Sequence, residues 1–131
     1  MRKATLLALA SLLMTSLLVG CVSSTVKVGW VGSSDLGHIG YRYTTFDGME
    51  RKTFRAEAGQ TISLDYDITV EKGALVLKVV APDGKALWEE TFREDAADIV
   101  TLTAPQNGFH TMHIEGQATG GSFDLSWSVS E

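Results

Sequence analysis

Apolar and polar residues alternate along most of this chain with the two-residue period of a β-strand. In Gln60–Val70, Ile62, Leu64, Tyr66, Ile68 and Val70 fall on one face, and Thr61, Ser63, Asp65, Asp67 and Thr69 on the other. Apolar residues at strict period two exclude a helix face. Burying each is worth about 1.5–3 kcal/mol, so this strand is expected to anchor the core. Ser122–Val129 repeats the pattern, with Phe123, Leu125, Trp127 and Val129 inward. Leu75–Val80 is apolar on both faces apart from Lys78, which predicts a central strand covered on both sides. Ala86–Phe92, with Trp88 and Phe92 in phase, Ile99–Ala104 and Phe109–Glu115 read as further strands. Ile39–Phe46 puts Ile39, Tyr41 and Tyr43 on one face. Met49–Ala56 carries Glu50, Arg51, Lys52 and Arg55, as expected of an edge strand protected by charge. Val26–Val31 predicts a short first strand.

Turn chemistry separates these runs. Asp47-Gly48 predicts a tight two-residue hairpin, because both central residues of that turn need positive φ. Glu57-Ala58-Gly59 and Glu71-Lys72-Gly73 are expected turns. So are Pro82-Asp83-Gly84-Lys85 and Pro105-Gln106-Asn107-Gly108, where Pro presets φ and Gly takes the left-handed position. Gly32–His38, Arg93–Asp98 and Gly116–Gly121 read as loops. Short strands punctuated this often predict an all-β antiparallel β-sandwich, jelly-roll-like or immunoglobulin-like.

The N-terminus differs. Met1-Arg2-Lys3 is basic, and Ala4–Val19 is apolar except for Thr5, Ser11, Thr15 and Ser16, the layout of a secretory signal. The run falls short of the roughly 20 residues that span a bilayer, which favours a cleaved signal over a retained transmembrane helix. Leu18-Val19-Gly20-Cys21 resembles a bacterial lipobox. The resemblance implies cleavage between Gly20 and Cys21, a diacylglycerol on the Cys21 sulfur and a bilayer as partner. Cys21 is the single cysteine, so no internal disulfide forms. The expected organisation is a signal peptide over 1–20, the lipidated cysteine, tether and short first strand over 21–38, and a β-sandwich over 39–131. The protein is then held on the extracytoplasmic side of the cell envelope. The absence of Asp after the cysteine leans toward the outer membrane in a Gram-negative cell.

The chain has 131 residues and a net charge of −5. Without Arg2 and Lys3, 9 basic residues face 16 acidic ones. That balance argues against nucleic acid as a partner. The remaining length makes one domain with a sizeable core.

Catalytic chemistry is sparse. His110 and His113 fall on opposite faces of one strand and cannot share a metal ion. Asp65 and Asp67 share a face but read as a solvated strand surface, and Glu94, Asp95 and Asp98 as a charged loop. Glu89 and Glu90 point apart. Ser33, Ser34, Asp35 and His38 lack the Gly-x-Ser-x-Gly elbow of a hydrolase. Trp88 and Trp127 are in phase with core residues. Trp30, Tyr41 and Tyr43 are left as candidate ligand contacts, with Trp30 expected to be the most exposed tryptophan.

From Tyr41 to Val129 the chain resembles small bacterial lipoproteins with one β-sandwich. The residues concerned are Phe46-Asp47-Gly48, the Gly59–Tyr66 strand, Pro82-Asp83-Gly84-Lys85, Asn107-Gly108-Phe109 and Gly121-Ser122-Phe123-Asp124-Leu125-Ser126-Trp127. The order of strands and turns is also similar to GOLD- and CUB-like sandwiches. The resemblance implies an interaction domain rather than an enzyme. The expected function is a non-catalytic envelope lipoprotein that binds envelope protein or cell-wall material, with no cofactor and no metal. The alternative is a carbohydrate-binding module using Trp30, Tyr41 and Tyr43; a hydrolase ranks last.

Overall fold

A computed structural model describes residues 24–131. The expected signal peptide, the expected Gly20–Cys21 cleavage site and Cys21 itself lie outside the described residues. Seven antiparallel strands follow: β1 (Val26–Val28), β2 (Val31–Asp35), β3 (His38–Ala56), β4 (Thr61–Val80), β5 (Ala86–Phe92), β6 (Ala96–Thr103) and β7 (Gly108–Ser130). The hydrogen-bonded order is β1-β3-β7-β4-β5, with β2 also on β3 and β6 also on β4.

Three strands run through both layers of a sandwich. The first half of β3 (38–43), the first half of β4 (61–70) and the second half of β7 (121–130) pair together, flanked by β2 and β6. The other halves of the same strands (48–56, 74–80 and 108–117) form the second layer, flanked by β5. Between the halves the ladder slips, at Tyr43–Gly48 in β3 and at Val70–Ala74 in β4. A residue inserted at a bulge shifts the inward side from odd to even numbers, or the reverse. Accordingly Ile39 and Tyr43 but then Phe46 and Ala56 are buried on β3. On β4 the buried set passes from Leu64, Tyr66 and Ile68 to Leu75, Leu77 and Val79, and on β7 from His110, Met112 and Ile114 to Phe123 and Leu125. Most of these inward side chains meet in one core, with Tyr66 lying 5.2 Å from Phe92 across the sandwich, while Ala56 joins Ile62 and Ala104 in a smaller cluster.

The corner is built on glycine. Gly121 has φ +135°, and a Cβ there would sit 2.0 Å from the Thr69 carbonyl oxygen. Gly73 has φ +65°, with the Ala118 oxygen 2.4 Å from any Cβ. Backbone therefore packs on backbone where the sheet turns over.

Several sequence expectations change. Asp47-Gly48 is no hairpin turn but part of the bulged stretch inside β3, and the Asp47 carboxylate accepts the Ala118 N–H at 3.0 Å. Glu71-Lys72-Gly73 and Gly116–Gly121 likewise lie within continuous strands. A bulge and a tight hairpin ask for the same left-handed residues, so composition alone does not separate them. Gly32–His38 is mostly strand: β2 turns at Leu36-Gly37 straight into β3. The Pro82–Lys85 and Pro105–Gly108 turns do separate strands.

Candidate functional site

The aromatic residues Trp30, Tyr41 and Tyr43 are brought together, but as packing. Trp30 stacks on Tyr41 at 4.4 Å and on Tyr43 at 5.6 Å, and meets the edges of Phe46 and Phe123. Lys27 Nζ lies 4.5 Å from the Trp30 ring centre. Tyr43 is 3% exposed, and Trp30 and Tyr41 are half-buried. Of the three candidate ligand contacts, Tyr43 is thus buried in the core, while Trp30 and Tyr41 each keep part of their surface open; the rings hold one another. The signal was in the sequence, since Tyr41 and Tyr43 share the phase of Ile39, which is buried. Burial pushes the Tyr43 phenol up to about 12, with the nearby Thr119 hydroxyl acting the other way. Neither hydroxyl reaches a partner at full hydrogen-bond geometry.

His110 and His113 point to opposite sides. His110 is wholly buried, stacked 5.7 Å from Phe54, with Nδ1 3.1 Å from the Gly108 oxygen. His113 faces outward, with Nδ1 3.3 Å from the Met49 sulfur. Asp95 in the charged loop is a cap: its carboxylate accepts the Val70 N–H at 2.9 Å. Among the described residues no group of three His, Cys, Asp or Glu converges to hold a metal.

The outer face of the first layer is the polar surface that the alternation predicts strand by strand, and the register assembles it into rows. Arg42, Ser122 and Thr69 form one row, with Val31 opposite Arg42 on β2. Gly40, Asp124 and Asp67 form the next, and His38, Ser126 and Asp65 the third. Ser128 and Ser63 follow. Directly paired residues point to the same side of a sheet, so these hydroxyls and carboxylates share one surface. His38 Nε2 lies 3.1 Å from Asp124 Oδ1, which ties two rows together.

Three shallow clefts cross this face. The largest, about 480 Å³, lies at the corner between Arg42, Thr44, Thr69, Glu71 and Ser122, over Gly29 and Gly121. A second, about 310 Å³, opens over Gly40 between Val31, Arg42, Ser122 and Asp124. Among the described residues Arg42 is the only cation lining either of them. A third, about 270 Å³, is bounded by Ser63, Asp65, Ile99, Ser126 and Ser128. Ile99 is an exposed apolar side chain in this hollow, which Trp127 also lines. The small side chains of the rows, and the glycines at Gly40 and Gly121, create the hollows. The surface offers hydroxyl donors, carboxylate acceptors and a guanidinium around shallow hollows.

No family model matches the sequence, and no curated protein is similar to it at a significant level. Solved structures are similar in fold. A carbohydrate-binding module described as "CBM4 structure and function" superposes with a TM-score of 0.56 at 13% identity, over 84% of this chain and 79% of that one. PliG of Aeromonas hydrophila, a periplasmic lysozyme inhibitor of g-type lysozyme, superposes with a TM-score of 0.51 at 17% identity, over 71% and 84%. The likeness and the strand pairing agree: the chain is an antiparallel β-sandwich.

Proposed function

We propose that this protein is a non-catalytic envelope lipoprotein that binds glycan of the cell wall or cell surface through the outer face of its first layer. The observation that carries the reading is the contiguous array of Arg42, Ser122, Thr69, Asp124, Ser126 and Asp65 around shallow clefts. Sugar hydroxyls both donate and accept, and such a surface meets them with carboxylate acceptors, hydroxyls and a guanidinium fork. The likeness to a carbohydrate-binding module supports the reading. Acylation of Cys21 would supply the anchor, as the lipobox resemblance implies; two or more acyl chains hold firmly.

The test is co-sedimentation of the detergent-solubilised full-length protein with insoluble peptidoglycan and with a panel of insoluble polysaccharides. Retention that falls at least tenfold in Arg42→Ala and in Asp124→Ala supports the reading. Binding to none of them, or equal binding by both variants, refutes it.

A second reading, a protein partner such as a cell-wall hydrolase, is favoured by Leu36. This leucine sits fully exposed at the tip of the β2–β3 turn, and PliG shares the fold. Capture of a hydrolase that Leu36→Asp abolishes would select it.

A further inference from the structure

An apolar strip runs along the edge of the sandwich where the chain enters the fold. Val26 pairs with Asp47, Val28 with Thr45 and Val31 with Arg42, while Met49 follows Asp47 by two residues on β3. All four point to the outside, with exposures of 38% (Met49), 43% (Val26), 51% (Val28) and 62% (Val31). The intervening Lys27 points the other way, bonded to Glu50 and lying over Trp30. The strip thus follows the eight residues of β3 from Arg42 to Met49, through the bulged stretch at the corner. Isolated exposed apolar residues are ordinary, but four gathered along the edge where the chain enters form a candidate contact surface.

The chain leading to the strip identifies what it contacts. Thr25 lies flat on Gly48: a Cβ at Gly48 would come within 2.4 Å of Thr25 Cγ2. Ser24 therefore enters beside the Met49 end of the strip. Cys21 is three residues further on, so its Cα is within about 11 Å of that of Ser24, even with the chain fully extended. That is too short for the domain to stand clear of a bilayer in which Cys21 is acylated. Charge offers no attraction, since 9 basic residues face 16 acidic ones after residue 20.

We infer that the domain stands edge-on on the membrane, with Met49, Val26, Val28 and Val31 against the interfacial region of the bilayer. The inference rests on the acylation of Cys21. In this posture the layer carrying the clefts rises from the membrane, with the hollow over Gly40 close to the headgroups and the one beside Ile99 farthest out.

The test uses the full-length lipidated protein in dioleoylphosphatidylcholine vesicles containing a nitroxide lipid labelled near the glycerol. Because Cys21 is capped by lipid, a thiol-reactive fluorophore marks only an introduced cysteine. Val28→Cys reports on the strip. Ala97→Cys, on the opposite edge of the same layer, is the reference. The expected result is several-fold stronger quenching at position 28 than at 97, with the difference lost when Val26→Ser and Val31→Ser are added. Equal quenching at the two sites overturns the inference. So does shielding of position 28 that disappears as the protein is diluted within the bilayer, which would mean that a second copy covers the strip. Mass spectrometry of Cys21 separates the two levels. An acylated protein with no preferential quenching refutes the seat alone, whereas an unmodified cysteine refutes the anchor and the seat with it.

Discussion

Replacing Gly121 by alanine is expected to strike the corner that joins the two layers. At φ +135° an L-residue is strained, and the new Cβ would lie 2.0 Å from the Thr69 carbonyl oxygen. The obstacle is backbone, so no side chain can swing aside; β4 and β7 must move apart by more than 1 Å. Strain at such a dihedral costs about 1–3 kcal/mol and forced repacking about as much again. The narrower unfolded ensemble of alanine returns about 0.4–1 kcal/mol. A net loss of about 2–5 kcal/mol follows, a large share of a typical stability of about 5–15 kcal/mol. Gly59→Ala is the matched control. Its φ is +88°, but nothing lies within 4 Å of its Cβ, so only the dihedral term, about 1–2 kcal/mol, applies. Urea unfolding followed by tryptophan fluorescence measures both, with an unchanged m-value expected. If Gly121→Ala proves no more destabilising than Gly59→Ala, the close backbone approach is not what requires glycine here. The same variant should reduce binding at the 480 Å³ cleft, whose floor includes Gly121.

Phe123→Ala removes a ring that is 1% exposed and meets Trp30, Tyr41, Tyr43 and Phe46, and should cost about 3–5 kcal/mol in urea unfolding. The His113 imidazole is held below its usual pKa, first by burial and then by Arg51 and Lys78. The unfolded chain therefore binds that proton more readily. Its contribution to stability is complete above about pH 6.5, declines as the pH falls toward the lowered native value, and levels off below it. His113→Gln should flatten this slope in denaturation midpoints measured from pH 7.5 to 4.5. In a spectrophotometric titration one phenol should ionise near about 12, and Tyr43→Phe should remove that step. Asp95→Ala should cost about 0.5–1.5 kcal/mol by freeing the Val70 N–H, read from the same unfolding curves.

The strands themselves are legible in the sequence wherever alternation is strict, as in Ile62–Ile68 and Phe123–Leu125, because each inward residue is buried for the same reason that it is apolar. Turns containing proline are legible too, since Pro82 and Pro105 cannot continue a ladder. The corner is not legible: Asp47-Gly48 and Gly116–Gly121 satisfy a hairpin as well as a bulge, and only long-range pairing decides between them. The candidate site is half legible. Asp65 and Ser63, or Asp124 and Ser126, announce polar faces separately. That Asp65 stands beside Ser126, and Ser126 beside His38, depends on a register between strands about sixty and ninety residues apart. The aromatic trio is ambiguous because tyrosine and tryptophan serve core and surface equally well; for Tyr43 the phase shared with Ile39 gives the buried destination.

Because β3, β4 and β7 belong to both walls, the molecule has no seam. Neither half can be peeled away, slid or hinged without tearing three ladders at once, so opening a gap to admit a ligand is not available to it. Whatever it recognises must be taken on a rigid exterior. Permutation or insertion is tolerable only at the far tips, such as Pro82–Lys85, where cutting the chain leaves every shared strand whole.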